Sequence, residues 1–426
     1  MSCEGPGRMS LTEPATRRAL LACLRVAPTE SDRRAIEALD DDGWQRLVAE
    51  ARRQRVTGMV QHRLQARGFA GRAPAAIAAA LDEAARHAAK ATLILHRELA
   101  LVLARAASAN VSVLALKGAH LASTVYGNLA LREMSDLDLL VPTGQLDAAA
   151  ALVQALGYTP YKSLDVDTDR QVAQHLTTFV KRGAGAIEIH WTITEPGHAH
   201  SIDPAELWDR AVPMTLVGQR AKALSPADAI LHLCAHTSYN HLFGCGLRSL
   251  CDIMMVAGDS AGAATWEAVA RRAGEWKWDR GVFLALCLAR DLLDAQVPAH
   301  VLDRLRPDGF DARLAAAAED QLFADPAELR KLGALSDLAG PRSMAGRLRH
   351  VSDRVFLDPA LLASLYGRPA TISRSERLWW YAVRASDLLR RASPTALRFW
   401  RERDTPFVSI AQGQSRLRGW LAETGR

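Results

Sequence analysis

The segment Ser135-Asp136-Leu137-Asp138-Leu139-Leu140-Val141, stopped by Pro142, constrains this chain more than any other. Its composition predicts a β-strand, and successive side chains of a strand leave opposite faces. Asp136 and Asp138 therefore share one face, while Leu137 and Leu139 point the other way into a core. Two carboxylates on one rigid face repel unless something positive lies between them, and an oxygen-seeking cation such as Mg²⁺ is the usual answer. Taken alone, such a pair also serves to cap a helix or to hold an arginine, so its neighbours decide between the readings.

Upstream, the β-branched and apolar run Val111-Ser112-Val113-Leu114-Ala115-Leu116 predicts a buried strand that ends on Lys117-Gly118. Such a turn lets backbone N–H groups approach a phosphate, with Lys117 adding charge. Residues 119–126 read as a short helix, 127–135 as a polar loop, and 143–156 as a helix closed by Gly157. Downstream, two β-prone runs flank Arg182-Gly183-Ala184-Gly185 and predict a hairpin. The second run, Ile187-Glu188-Ile189-His190-Trp191, supplies a third carboxylate. A phosphate-facing turn, a paired-acid strand and a third acid on a neighbouring strand are what metal-assisted phosphoryl or nucleotidyl transfer requires.

These residues resemble a known family. LALKGAHLASTVYGNLALREMSDLDLLVP, followed about 50 residues later by IEIHW, is similar to the uncharacterised nucleotidyltransferase family of the polymerase-β-like superfamily. LSPADAILHLCAH and LRSLCDI extend the resemblance, which runs from about residue 40 to 300. It implies an NTP donor, an acceptor hydroxyl, and Mg²⁺, with Mn²⁺ as the alternative metal, held by Asp136, Asp138 and Glu188 as catalytic carboxylates. It also implies phosphate contacts at Lys117, Gly118 and Arg132. Where superfamily members carry Ser after the glycine of the turn this chain has Ala119, so Lys117 and Arg132 are expected to replace the missing hydroxyl.

The implied fold is α+β, a small mixed-sheet nucleotidyltransferase core between an N-terminal helical module and a C-terminal helical bundle. The expected divisions are 1–109 (helical), 110–200 (α/β core), 201–305 (helical bundle closing the cleft) and 306–426 (Arg-rich extension). Helix starts at Asp203-Pro204 and Ser225-Pro226 support the bundle, each placing a capping side chain before a proline. On the second of these helices Asp228, His232, His236 and Asn240 form one stripe. With Arg248 and Asp252 this stripe reads either as a nucleotide or acceptor surface, for which the resemblance favours His236, Arg248 and Asp252, or as a buried polar contact between helices. The histidine and cysteine spacings match no common zinc site. Asp165-Val166-Asp167-Thr168-Asp169 begins like a calcium loop but lacks the glycine and the final acid. His198 and His200 read as exposed loop residues.

No run approaches the ~20 apolar residues needed to cross a bilayer, which excludes a membrane-spanning helix. The irregular spacing of the six cysteines suits reduced thiols, and MSCEGPGRMSLTEP has no secretory pattern, so the expectation is cytoplasmic. Of the net charge of +6, residues 341–426 hold 16 Arg, no Lys and 7 acids, a net +9. That Arg-rich tail, with Trp379, Trp380, Phe399 and Trp400, reads as a nucleic-acid contact or as a solvated helical surface. The acceptor is open among a small molecule, a peptide, a protein and RNA. The competing function is a nucleotide-binding partner or scaffold protein with little or no activity.

Overall fold

The computed structural model describes residues 14–161, 173–194, 202–259 and 261–329, and in the C-terminal part 352, 354–357, 359–366, 373–401 and 406–423. The acidic loop at 165–169, His198 and His200 lie outside the described residues.

Five helices come first: α1 (Pro14–Leu24), α2 (Glu30–Glu37), α3 (Asp41–Arg53), α4 (Thr57–Ala66) and α5 (Ala75–Ser108). Their starts are locally encoded. Thr29 and Asp32 form a reciprocal capping box on α2, and the Asp40 side chain accepts from Gly43 N on α3. Free of Gly and Pro, α5 runs 34 residues, about 50 Å at 1.5 Å per residue. Ile77 and Leu81 near its start join the larger core, while Leu95, Leu99, Val102, Leu103 and Ala106 pack under the sheet.

The chain then builds a seven-stranded mixed sheet in the order β3-β4-β5-β2-β1-β7-β6. In sequence these are β1 (Leu114–Ala115), β2 (Asp136–Leu140), β3 (Thr159–Pro160), β4 (Phe179–Lys181), β5 (Gly185–His190), β6 (Val212–Leu216) and β7 (Gln219–Ala223). Between them lie α6 (Lys117–Thr124), α7 (Leu146–Ala155) and α8 (Pro204–Asp209). The acidic strand and the hairpin at Gly183 and Gly185 form as expected, the two glycines at φ +78° and +91°. The VSVLAL strand is shorter than its composition suggests, with only Leu114 and Ala115 laddered to β2 and β7, although Leu116 N still donates to Asp138 O at 3.0 Å.

The segment read as purely helical from 203 also contributes the β6–β7 hairpin. Val217 and Gly218, both at positive φ, turn it, and β7 runs parallel to β1. Gln-Arg-Ala-Lys-Ala carries helix-favouring residues, and its strand state comes from pairing along the hairpin with β6 and on its other side with β1 rather than from its own preference.

After the hairpin come α9 (Pro226–Ala235), a π-type turn at His236–Asn240, α10 (Leu247–Asp259), α11 (Ala263–Glu275), α12 (Asp279–Leu293), α13 (Ala299–Leu305) and α14 (Ala312–Phe323). Further on are α15 (Pro359–Leu365), α16 (Arg374–Arg401) and α17 (Pro406–Ala422). The first helices and α9 to α14 share one apolar core that includes Leu20, Leu47, Val60, Ile230, Leu250, Leu284 and Leu322. α17 packs on α14 through Leu417 and a Gln321 Nε2 to Ile410 O bond of 3.1 Å. On α16, Trp380 stacks on Tyr366 while Trp379 is exposed; the side chains of Phe399 and Trp400 lie outside the described set.

The corner between α3 and α4 positions the loop that leads into β2. Glu133 Oε1 accepts from Thr57 N at 2.9 Å at the start of α4, and Arg55 donates to Ser135 Oγ at 2.8 Å. A Cβ on Gly58 would lie 1.8 Å from the Ala130 carbonyl oxygen. Because that neighbour is backbone, Gly58→Ala is expected to displace the 127–135 loop and cost about 1–3 kcal/mol, as overpacking does elsewhere. Urea unfolding measures this, and a midpoint equal to the parent's would show that the contact is looser than drawn.

Candidate active site

β2 and β5 are parallel neighbours in a register that sets Asp138 opposite Glu188 and Leu140 opposite His190. Side chains alternate, so Asp136, Asp138, Glu188 and His190 share one face. On the other face Leu137, Leu139, Ile187 and Ile189 are buried in the sheet core. The apolar residues thus fix the strands rigidly, and the polar ones have no choice but to meet.

They meet around one oxygen. Asp138 Oδ1 accepts from Lys117 Nζ at 2.9 Å and faces His190 Nε2 at 3.0 Å. His190 Nε2 is also 3.6 Å from Glu188 Oε2, which His175 Nε2 approaches at 3.7 Å. Thr178 Oγ1 donates to Glu188 Oε1 at 3.3 Å. One donor atom from each of Asp138, Glu188 and His190 lies within 4.8 Å of the others. Asp136 is outside that triad, with Ser135 Oγ donating to it at 3.1 Å.

The charges respond to this arrangement. Burial favours the neutral acid at Asp138, but Lys117 and His190 outweigh it and hold the carboxyl well below its usual range. At Asp136, burial and then the Asp138 charge push the carboxyl up, against Arg248 and Lys117. Glu188 is lowered because His190 and His175 overcome its burial. Burial opposes a charged His190, but its hydrogen bonds to Asp138 and Glu188 raise it. Two acids at one strand's start thus differ because the positive groups converge on the second.

Lys117 reaches Asp138 from the turn after β1, where it takes φ +43°, a conformation L residues rarely adopt. Gly118, expected to let a phosphate approach, leaves room for a side chain of this same chain. A Cβ there would lie 2.2 Å from Arg132 Nη1 and 3.0 Å from Met134 Cγ. Arg132 is buried and in this state committed elsewhere than to an open surface: Nε and Nη2 donate to Asp252 at 3.2 and 2.8 Å, and Nη1 donates to Glu133 O at 3.2 Å. Tyr126 Oη donates to the same Asp252 at 2.8 Å. Burial disfavours the Arg132 charge, but Asp252 more than offsets that and raises its pKa. Arg248 Nη1 donates to Glu133 O at 2.9 Å and lies near enough to Asp136 to depress that carboxyl.

His236 opens the π-type turn, half-buried, with its ring 4.3 Å from His241 and 6.3 Å from His232. Burial, then Lys117, hold both His232 and His236 below the usual histidine range, His232 at about 3. The turn is tied to the sheet side by Asn240 Nδ2 donating to Gln174 Oε1 at 3.3 Å. The predicted residues therefore fall into two groups: Lys117, Asp136, Asp138 and Glu188 at the strand face, and Gly118, Arg132, Arg248 and Asp252 in a wall beside it. Sequence reasoning quoted His190 but gave it no role. Its spacing two residues after Glu188 on one strand was the available signal.

A buried cluster of two carboxylates and an imidazole beside a lysine, on the face of a mixed sheet, suits the handling of a cation and a phosphate ester. The model of the uncharacterised nucleotidyltransferase family matches residues 40–294, and the chain belongs to that family. Nucleotidyl transfer is accordingly its class of chemistry. No curated protein matches the chain. Among solved structures it is similar to the antibiotic-resistance factor ANT(2'')-Ia, at 13% identity and a TM-score of 0.32, over 42% of this chain and 93% of that one. A likeness at that TM-score decides neither fold nor substrate.

Removing one partner of a buried ion pair leaves an uncompensated charge, at a cost of about 3–5 kcal/mol. Asp252→Ala is expected to lose that much in urea unfolding, and the apolar pair Arg132→Leu with Asp252→Leu to recover most of it. Equal losses in both variants would mean that packing, and not charge, holds the wall. A second expectation concerns pH. His232 takes a proton at about 3 in the fold and at about 6.5 when unfolded. Between these values the unfolded chain binds more protons, so stability falls as pH drops below about 6.5. His232→Leu should flatten that part of the profile, and an unaltered slope would show that other groups set it.

Proposed function

We propose that the protein transfers a nucleoside monophosphate from an NTP to an acceptor hydroxyl. The acceptor oxygen bonds to the α-phosphorus, the α–β phosphoanhydride bond breaks, and pyrophosphate leaves. The observation that carries this reading is Asp138, buried opposite Glu188 and holding both Lys117 and His190 on one oxygen, in a chain of the nucleotidyltransferase family.

The donor chemistry fits a divalent metal, because two carboxylates and an imidazole converge where Lys117 already supplies a cation. Asp138 and Glu188 would hold that metal, with Asp136 beside them. When bound, it neutralises the triphosphate and the charge that develops in the transition state. Lys117 exchanges Asp138 for a phosphate oxygen, and Arg248 offsets charge beside Asp136. Glu188, at 22% side-chain exposure against 6% for Asp138, would help hold the metal or take the acceptor's proton. Arg132, Asp252 and Tyr126 act as positioning residues that hold the turn carrying Lys117 and Gly118, and His236 lines the neighbouring wall.

We also propose that segments 1–109, 110–200, 201–305 and 306–426 serve as supporting helices, catalytic core, cleft-closing bundle and extension, with the β6–β7 hairpin of the third segment completing the core's sheet. The five described cysteines are free, which supports a reducing, cytoplasmic setting. Among the described residues no helix is long and apolar enough to cross a membrane.

Pyrophosphate release in the presence of divalent metal, each NTP in turn and a panel of hydroxyl acceptors tests the reaction. Asp138→Asn is expected to lower the rate by about a hundredfold or more. Lys117→Ala is expected to weaken NTP binding about tenfold. Turnover indifferent to Asp138→Asn would place the chemistry elsewhere.

A further inference from the structure

His190 is held against both acids of the site. It ends β5 at 1% exposure, and its Nε2 faces the acids while its Nδ1 has no partner among the described residues. This ring is oriented by what lies in front of Nε2. There the separations are 3.0 Å to Asp138 Oδ1 and 3.6 Å to Glu188 Oε2. Two ligands on adjacent corners of one cation, each at about 2.1–2.3 Å, stand about 3.0–3.7 Å apart. The imidazole nitrogen thus stands from each carboxylate oxygen as one ligand of a coordination shell stands from another, and all three donors lie within 4.8 Å of one another.

We propose that His190 Nε2 is a direct third ligand of the divalent metal held by Asp138 and Glu188, so that this centre takes Mn²⁺ in preference to Mg²⁺. The inference rests on the metal reading given above and adds the ligand and the ion it selects. Mg²⁺ demands oxygen ligands in a near-ideal octahedron and gives up its water reluctantly, whereas an imidazole in the shell favours a first-row transition ion, of which Mn²⁺ is the one that also suits carboxylates. Two strands fix the geometry: β2 supplies one oxygen, and β5 supplies an oxygen and a nitrogen two residues apart on one face. The Lys117 ammonium, 2.9 Å from the same Asp138 oxygen, marks a place for positive charge and is displaced as the metal enters. His175, 3.7 Å from Glu188 and outside the three-donor cluster, is the neighbouring imidazole against which the assignment is made.

The test uses the full chain freed of metal. Mn²⁺ is titrated alone by loss of its free-ion electron paramagnetic resonance signal, Mg²⁺ is measured by competition, and the electron spin echo of bound Mn²⁺ is read for nitrogen modulation. The parent is expected to show nitrogen modulation and to bind Mn²⁺ at least about tenfold more tightly than Mg²⁺. His190→Gln is expected to lose the modulation and about tenfold in Mn²⁺ affinity with Mg²⁺ little changed, while His175→Gln keeps both. Mn²⁺ bound without nitrogen modulation, or modulation that survives His190→Gln and vanishes in His175→Gln, overturns the assignment and leaves the carboxylate centre standing. A parent that binds no Mn²⁺ overturns the assignment, and if direct calorimetric titration shows no Mg²⁺ binding either, the metal reading itself falls. Should His190→Gln fail to fold, the parent and His175→Gln spectra alone decide between the two rings.

Discussion

Asp138 and Glu188 confront each other across hydrogen-bonded parallel strands, and the neighbourhood is arranged around the need to neutralise them. A buried carboxylate is tolerated only when paired. Lys117 and His190 provide the pairing from two directions, one from the turn after β1 and one from β5 itself. Lys117 accepts a strained backbone to do so. The sheet's other face is wholly apolar at the same positions, so the strands cannot shift register without burying charge among leucines and isoleucines. Stability and chemistry are thus imposed by the same two-residue alternation.

The wall behind the turn depends on residues far apart in the chain. Arg132 is anchored by Asp252 on α10 and fills the space that Gly118 leaves. The loop carrying Arg132 is gripped by the start of α4, and the start of α10 donates to Gln54 at the end of α3 at 2.7 Å. The first helices are therefore part of the site's frame, and the family match, from near the start of α3 to the close of α12, takes in both sides of that frame.

What could be read from the sequence was whatever is encoded locally. The acidic strand, the glycine hairpin, the capped helices and the three acids follow from alternation, turn chemistry and capping residues that need no distant partner. The docking of β7 on β1, the pairing of Arg132 with Asp252, and the meeting of His190 with Asp138 depend on contacts between residues 52 to 120 positions apart, which no local pattern announces. Gly118 is read as a phosphate contact from its turn alone, and the packing of Arg132 against it, 14 residues onward, is not visible there. The glycine was legible as an exception; what occupies the space was not.

The two outer strands of the sheet have a further consequence. β3 is the pair Thr159–Pro160, and β6 carries Pro213 next to its first residue. A proline offers no N–H to a strand arriving from outside and is found in sheets chiefly at their margins. Both borders of a seven-stranded sheet thus discourage a second chain from extending it, which protects a surface otherwise open to aggregation.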